Sequence, residues 1–319
     1  MKKLLLVMRS SPAQPQISVI IPSGRPEIVR MTIEALNDQQ CDSNSYEVLL
    51  VTPFAEEVKQ VLSQSVRIRI DEVEKLYPPG RMRNIGAREA FGDVLAFIDD
   101  DCVPSFEWLS HMVRRLKRSK TTGAVGCRVI CGERTFMNRC ADHCLFAAYQ
   151  YRESRMIALG SAALVVRRQA FEEAGGFDER LLASEDWDFS LCLQEKDWDC
   201  FFDAKVEVHH YHGRGNIVSI LKGAYRSGYL SGLVVQRRHC SDLSWLAKLS
   251  VSLGTPLLYW LLIVPYSLAL TAAQGLDNLR NEPSAVLILP MVFLSRCSYH
   301  FGVWIRLLQD NKRSQKVLF

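Results

Sequence analysis

Five consecutive apolar residues, Val94 to Ile98, run straight into three aspartates, Asp99, Asp100 and Asp101, and this junction constrains the chain more than any other stretch. An unbroken apolar run of that length reads as a strand buried on both faces, as in a parallel sheet. Upstream, Arg83 to Ala90 reads as a short helix that Gly92 ends. The carboxylates therefore stand at the carboxyl end of a strand, where open α/β sheets hold their ligands. Adjacent carboxylates repel, a like pair about 4 Å apart costing roughly 4 kcal/mol at an effective dielectric of about 20. A hard cation relieves this: Mg²⁺ or Mn²⁺ takes one or two carboxylates and completes its shell with water and phosphate oxygens. The alternative is a solvated acidic turn that caps a helix starting near Pro104 and Ser105.

The rest of the chain repeats the strand and helix alternation. Ile17 to Pro22 is an apolar run, and Pro26 and Glu27 open a helix to about Asn37. Tyr46 to Val51 and Val66 to Ile70 read as further strands, so the front half predicts a parallel sheet with right-handed crossovers. Phe106 to Leu116 reads as a covering helix, Ala124 to Ile130 and Ala162 to Val166 as strands, and the helix after Arg167 and Arg168 stops at Gly175 and Gly176. A second acidic group, Glu185-Asp186-Trp187-Asp188, opens an amphipathic helix, where acidic residues suit the positive end of the dipole whatever else they do. In Val206 to His212, strand alternation sends His209 and His210 to opposite faces, and spacing leaves the choice between them open.

A net charge of +4 over 319 residues, with no concentrated basic stripe, argues against a nucleic-acid partner. The apolar stretch Leu4 to Met8 is too short for a signal peptide and is interrupted by Arg9, so the front of the chain is expected in the cytoplasm. The ten cysteines then read as reduced thiols. Cys127, Cys131, Cys140 and Cys144 form two Cys-x3-Cys pairs, a spacing unlike the usual Cys-x2-Cys of zinc sites, and buried small hydrophobes are the preferred reading.

Two motifs carry a resemblance. The pattern Arg83-Asn84-x-Gly86-x3-Ala90-x-Gly92-x4-Phe97-x-Asp99-x-Asp101 resembles the nucleotide-sugar motif of family 2 inverting glycosyltransferases with the GT-A fold. Arg167-Arg168-x2-Phe171-x3-Gly175-Gly176-Phe177-Asp178-Glu179 is similar to the acceptor-side motif of that family. The resemblance implies a Rossmann-like, mixed but mostly parallel sheet flanked by helices. It implies that Asp99, Arg83, Asp100 and Pro22 bind the donor nucleotide, and that Asp101 holds Mg²⁺ or Mn²⁺ with His210 or His209. It makes Asp186 the general base and places Glu185, Asp178 and Trp187 on the acceptor side. An unperturbed Asp, with a pKa of about 3.9, is a weak base toward an alcohol, so proton transfer would come late. Two departures stand out: the loop Ser23-Gly24-Arg25-Pro26 is one residue shorter than is usual in the family, and Thr52 follows Val51 where the family carries an Asp for the base. A UDP-sugar is the expected donor class, with the base left open.

The C-terminal part reads as a membrane element. Asn216 to Gln236 fits an interfacial helix with Lys222 and Arg226 as basic partners. Leu249 to Gln274 carries no charge and is long enough to span, and a second apolar run starts at Ala285 and passes Arg296. That second run is either a second span with a buried Arg or a re-entrant or interfacial helix, and Arg237, Arg238 and Lys248 before these runs with Lys312, Arg313 and Lys316 after them favour a hairpin with both flanks in the cytoplasm. The expected division is a catalytic domain over residues 1–213, interfacial helices over 214–248 and a membrane segment over 249–319, at the cytoplasmic face of the inner membrane. The absence of the Gln-x-x-Arg-Trp pattern of processive synthases implies, with the membrane segment, one transfer at a time to a lipid-linked or growing glycan acceptor. A sugar nucleotidyltransferase and an inactive scaffold that keeps the fold are the rival readings.

Overall fold

A computed structural model describes residues 15–42, 45–62, 68–133, 135–145, 153–237, 256–281 and 283–317. They form two compact units, one from the chain up to Gly132 and from Gln150 to His212, the other from Glu133 to Tyr149 and from Gly213 onward.

The first unit is built on a mixed sheet. Its strands are β1 (Ile17–Pro22), β2 (Tyr46–Thr52), β3 (Arg69–Glu72), β4 (Val94–Ile98), β5 (Cys102–Pro104), β6 (Thr122–Cys131), β7 (Ser154–Arg155), β8 (Ala163–Arg167) and β9 (Asp199–His210). They lie in the order β3-β2-β1-β4-β8-β6-β9-β5, with β7 on β9. The ladders β2–β3, β1–β2, β1–β4 and β6–β9 are parallel, whereas β8 runs antiparallel to both β4 and β6. By ladder length the sheet is mostly parallel, as the alternation of elements predicts. The reversal at β8 is the part periodicity does not reveal. Every residue of β1 and β4 is buried, which explains the unbroken apolar run of β4 and the single polar residue, Ser18, in β1.

Helices α1 (Val29–Asn37), α2 (Ala55–Val61), α3 (Pro79–Glu89), α4 (Trp108–Lys117), α6 (Arg168–Ala174) and α7 (Glu185–Glu195) belong to this unit. Two helix starts differ from expectation. α3 begins at Pro79 rather than Arg83, because proline is preset for the first helical position. α1 begins at Val29, after a turn over residues 26–28. Close packing of α3 on the sheet depends on Gly86, where a β-carbon would lie 2.5 Å from Ile20 Cγ2. At the end of α6, Gly175 takes the left-handed conformation (φ +83°) that stops the helix. The expected strand residues Val66 and Arg67 lie outside the described residues.

The second unit contains α5 (Phe136–Leu145), α8 (Ile217–Arg237), α9 (Pro256–Asn281), a 3-10 turn (Pro283–Ile288) and α10 (Leu289–Val317). Its core includes Cys140, Ala141, Ile220, Ile288 and Val292. Among the described residues, the stretch long and apolar enough to cross a membrane is Pro283–Gln309, which contains the second run of the sequence reading. Of the first expected span, Leu249 to Thr255 lies outside the described residues, and the described apolar helical stretch is Trp260–Leu276. Cys127 and Cys131 lie on β6 and Cys140 and Cys144 on α5, and the four make no metal-ligand group among the described residues.

Candidate active site

Each of the three aspartates at the end of β4 has its own neighbours. Asp100 turns into the loop after β1, where its carboxylate accepts hydrogen bonds from Ser23 Oγ (3.0 Å) and the Gly24 amide (3.2 Å) and pairs with Arg25, while its carbonyl accepts from Thr32 Oγ1 (2.8 Å). These contacts fold residues 23–25 into a turn before α1 starts. Burial raises the Asp100 carboxyl above its usual range, opposed by Arg25. Asp100, expected to touch nucleotide, is thus occupied in shaping the loop that follows Pro22. Pro22 itself is buried at the carboxyl end of β1.

Asp101 faces two cations. Its Oδ2 lies 2.8 Å from Arg25 and its Oδ1 lies 3.1 Å from His210 Nε2. Burial alone would raise its pKa, but the hydrogen bond and charge of His210, followed by those of Arg25, outweigh burial and hold it at about 2. The backbone supports the pair, since the Tyr211 amide donates to the Asp101 carbonyl (2.8 Å) and His210 stands opposite Cys102 in the β5–β9 ladder. Of the two histidines, His210 is the one beside Asp101. His209 stands opposite Val103 and Ile130 on the alternate face, away from the Asp101 contact. The ligand atoms of Asp101, Cys102 and His210 lie within 4.8 Å of one another. A carboxylate oxygen beside an imidazole nitrogen suits a borderline-hard divalent cation, and the Arg25 guanidinium already sets positive charge against this aspartate.

Asp99 joins the acidic turn to the second acidic group through Arg83. The Arg83 guanidinium, 2% exposed, donates from one terminal nitrogen to Asp99 Oδ1 and from the other to Glu185 Oε1, both at 2.6 Å. Burial would lower the guanidinium pKa, but the two carboxylates more than offset it, and the group stays charged. Glu185, expected on the acceptor side, therefore anchors Arg83. Arg81, two residues upstream of the motif, stacks on Tyr77 (3.9 Å) and approaches Glu179 (3.6 Å).

Asp186 follows Glu185 in the first turn of α7. The Ser161 amide donates to its Oδ2 (3.2 Å) and the Trp187 amide to its Oδ1 (2.8 Å). Burial, then the neighbouring Glu185 charge, push its carboxyl up to about 6, against the pull of Arg83. That revises the unperturbed value assumed from sequence and makes Asp186 a better base near neutrality. The helix start is tense: Ser184 adopts φ 62°, an unusual conformation for a residue with a side chain. Phe97, Phe171, Phe177 and Phe189 pack with ring centroids 4.6 to 5.9 Å apart, fixing α7 relative to β4. Asp178 pairs with Arg180 two residues on (2.7 Å), and Trp187 is partly buried.

Sequence reasoning missed Ser23, Gly24, Arg25 and Ser161. The shortened loop after β1 was the only signal for the first three, and Ser161 left none. Thr52, found where a carboxylate is usual, accepts a hydrogen bond from the Phe54 amide (3.1 Å) in the turn that leads into α2.

The family model described as glycosyltransferase-like family 2 matches residues 18–209, and the chain belongs to that family. The O-antigen biosynthesis protein RfbC of Myxococcus xanthus is 26% identical over 222 residues, covering 62% of this chain and 17% of that protein. Glycosyltransferase AglE of Haloferax volcanii is 27% identical over 186 residues, covering 54% of this chain and 59% of that one. The chain thus spans less than two thirds of either relative. A structure of the mannosyltransferase PcManGT from Pyrobaculum calidifontis, in complex with GDP-Man and Mn²⁺, superposes with a TM-score of 0.63 at 16% identity, covering 94% of this chain and 88% of that one. The likeness supports the GT-A fold expected from the motifs.

Proposed function

We propose that this chain is an inverting, metal-dependent glycosyltransferase that moves one sugar at a time from a nucleoside-diphosphate sugar to a lipid-linked or growing glycan at a membrane surface. The observation that carries this reading is the Arg83 bridge, which ties the donor-side Asp99 to Glu185 and so sets the neighbouring Asp186 relative to the nucleotide motif.

In this reading Asp99 binds the nucleotide, held in place by Arg83. Asp101 and His210 are the residues that would hold Mg²⁺ or Mn²⁺, whose chemistry when bound is to neutralise charge on the departing diphosphate. Asp186 takes the proton from the acceptor hydroxyl as its oxygen attacks the anomeric carbon, and this single displacement inverts that carbon. The Ser161 and Trp187 amides orient the carboxylate, and its raised pKa suits a base that works near neutral pH. Thr52 in place of a base-contacting carboxylate leaves UDP, GDP and dTDP sugars as donors to be compared. The O-antigen relative and the apolar helices support an acceptor and a location at the membrane.

Calorimetry tests the reading. UDP, GDP, dTDP and their sugar conjugates are titrated into detergent-solubilised chain with and without Mn²⁺ or Mg²⁺, beside Asp101→Asn. Metal-dependent binding of one nucleotide, lost in the variant, is the expected result. Failure of every nucleotide to bind overturns it in favour of an inactive scaffold, and release of pyrophosphate from a nucleoside triphosphate would favour a nucleotidyltransferase.

A further inference from the structure

The three aspartates at the end of β4 are served by two arginines, and the two are held differently. Arg83 is buried between Asp99 and Glu185 and fixed from both sides. Arg25 comes from the loop after β1, and its side chain is 42% exposed, whereas those of Asp100 and Asp101 are 5% exposed. Its guanidinium therefore lies over the two carboxylates from the solvent side. A single terminal nitrogen, Nη2, meets both, Asp100 through Oδ1 and Asp101 through Oδ2 (2.8 Å).

Both aspartates have further anchors that do not involve the Arg25 side chain. Asp100 accepts from Ser23 Oγ and the Gly24 amide through Oδ2, its carbonyl accepts from Thr32, and the Arg25 amide donates to Ser23 Oγ (3.4 Å). The turn thus keeps these bonds when the guanidinium leaves. Asp101 likewise keeps His210 at Oδ1 (3.1 Å) and the Tyr211 amide at its carbonyl (2.8 Å). Arg25 is the partner that both can give up.

Its charge bears on the cation site. A divalent cation held by Asp101 and His210 meets a carboxylate whose charge Arg25 already offsets, and the cation and the guanidinium repel. A cation arriving alone must compete with Arg25. A diphosphate changes the balance, because its oxygens accept from a guanidinium fork as a carboxylate does. A long side chain at the solvent edge can turn to them without moving β1 or α1.

We propose that Arg25 makes loading of the cation depend on the donor. It covers Asp101 until a nucleoside diphosphate arrives, then turns to the phosphate oxygens as Asp101 and His210 take the cation. This rests on the reading that Asp101 and His210 hold Mg²⁺ or Mn²⁺. It goes further in making cation and donor each tighten the binding of the other through one side chain.

The test uses the full, detergent-solubilised chain, with Mn²⁺ followed by electron paramagnetic resonance and inorganic pyrophosphate as the diphosphate, so that the base plays no part. In the parent, pyrophosphate is expected to strengthen Mn²⁺ binding about tenfold or more. Arg25→Gln is expected to bind Mn²⁺ alone about tenfold more tightly than the parent, and pyrophosphate at saturating Mn²⁺ about tenfold more weakly. A residue that only shaped the loop would weaken both, so an unchanged or weaker affinity of Arg25→Gln for Mn²⁺ overturns the proposal. Arg25→Lys keeps the charge and is expected to bind Mn²⁺ alone within about threefold of the parent. A gain as large as that of Arg25→Gln overturns the proposal too. If Arg25→Gln does not fold, the parent decides. Mn²⁺ binding that pyrophosphate leaves unchanged overturns the proposal alone, whereas no Mn²⁺ binding with or without pyrophosphate overturns the cation site and the proposal together.

Discussion

Asn84 holds Phe177 by both of its backbone groups: its Oδ1 accepts from the Phe177 amide at 3.0 Å and its Nδ2 donates to the Phe177 carbonyl at 2.8 Å. One side chain thus acts as a strand partner for the loop before α7 and joins the two sequence motifs through buried hydrogen bonds. Asn84→Ala leaves both groups of Phe177 unpaired and is expected to destabilise the chain by about 1–3 kcal/mol. Urea unfolding measures the loss. Asn84→Asp, which keeps the acceptor but not the donor, is expected to fall between Ala and the parent.

Arg83 is a buried cation between two carboxylates, and removing one member of such a group leaves uncompensated charge. Arg83→Ala is expected to cost about 3–5 kcal/mol in stability and to abolish transfer. Arg83→Lys cannot reach Asp99 and Glu185 with a planar fork and should recover little activity. In a double-mutant cycle, Glu185→Gln is expected to cost much less beside Arg83→Ala than alone. Additive costs would show that the two do not act as a pair.

Asp186→Asn is expected to lower turnover by about 10²–10⁴-fold while nucleotide binding changes little. The raised carboxyl also gives a sign to stability. A carboxyl group whose folded pKa lies near 6, above its ordinary value of 3.8, favours the folded state fully below the unfolded value and loses that contribution as pH rises through about 6. Asn at this position removes the penalty of the buried charge. The variant should therefore melt higher than the parent at pH 8, on the order of 1 kcal/mol after the lost amide contacts are allowed for, with the gap closing toward pH 4. Thermal melts at both pH values measure it, and transfer by the parent enzyme should decline as pH falls through about 6.

The two histidines separate cleanly. His210→Ala is expected to weaken Mn²⁺-dependent nucleotide binding by about tenfold or more, whereas His209→Ala leaves it within experimental error. Equal effects would contradict the face assignment made from the β5–β9 register.

The first half of the sheet was legible because β1, β4 and most of β2 are buried on both faces, so apolar residues dominate their sequences. The reversal of β8 was not, because Ala163–Arg167 is equally apolar whichever way it runs. The acidic turn was found at once, but its division of labour was not. Three consecutive aspartates look alike in sequence, and only the turn of the chain aims Asp100 at Ser23 and Arg25, Asp101 at His210 and Asp99 at Arg83.

The reversal at β8 also bears on how the chain assembles. Among the described residues, strands β1 to β4 pair only with one another and with β8, so the strands between residues 17 and 98 make a self-paired sheet. During synthesis that half can close as it leaves the ribosome, whereas β6 must wait for β8 and then for β9, which carries His210. The side expected to grip the nucleotide thus takes shape early, and His210, the neighbour of Asp101 in the candidate cation site, arrives with the last strand.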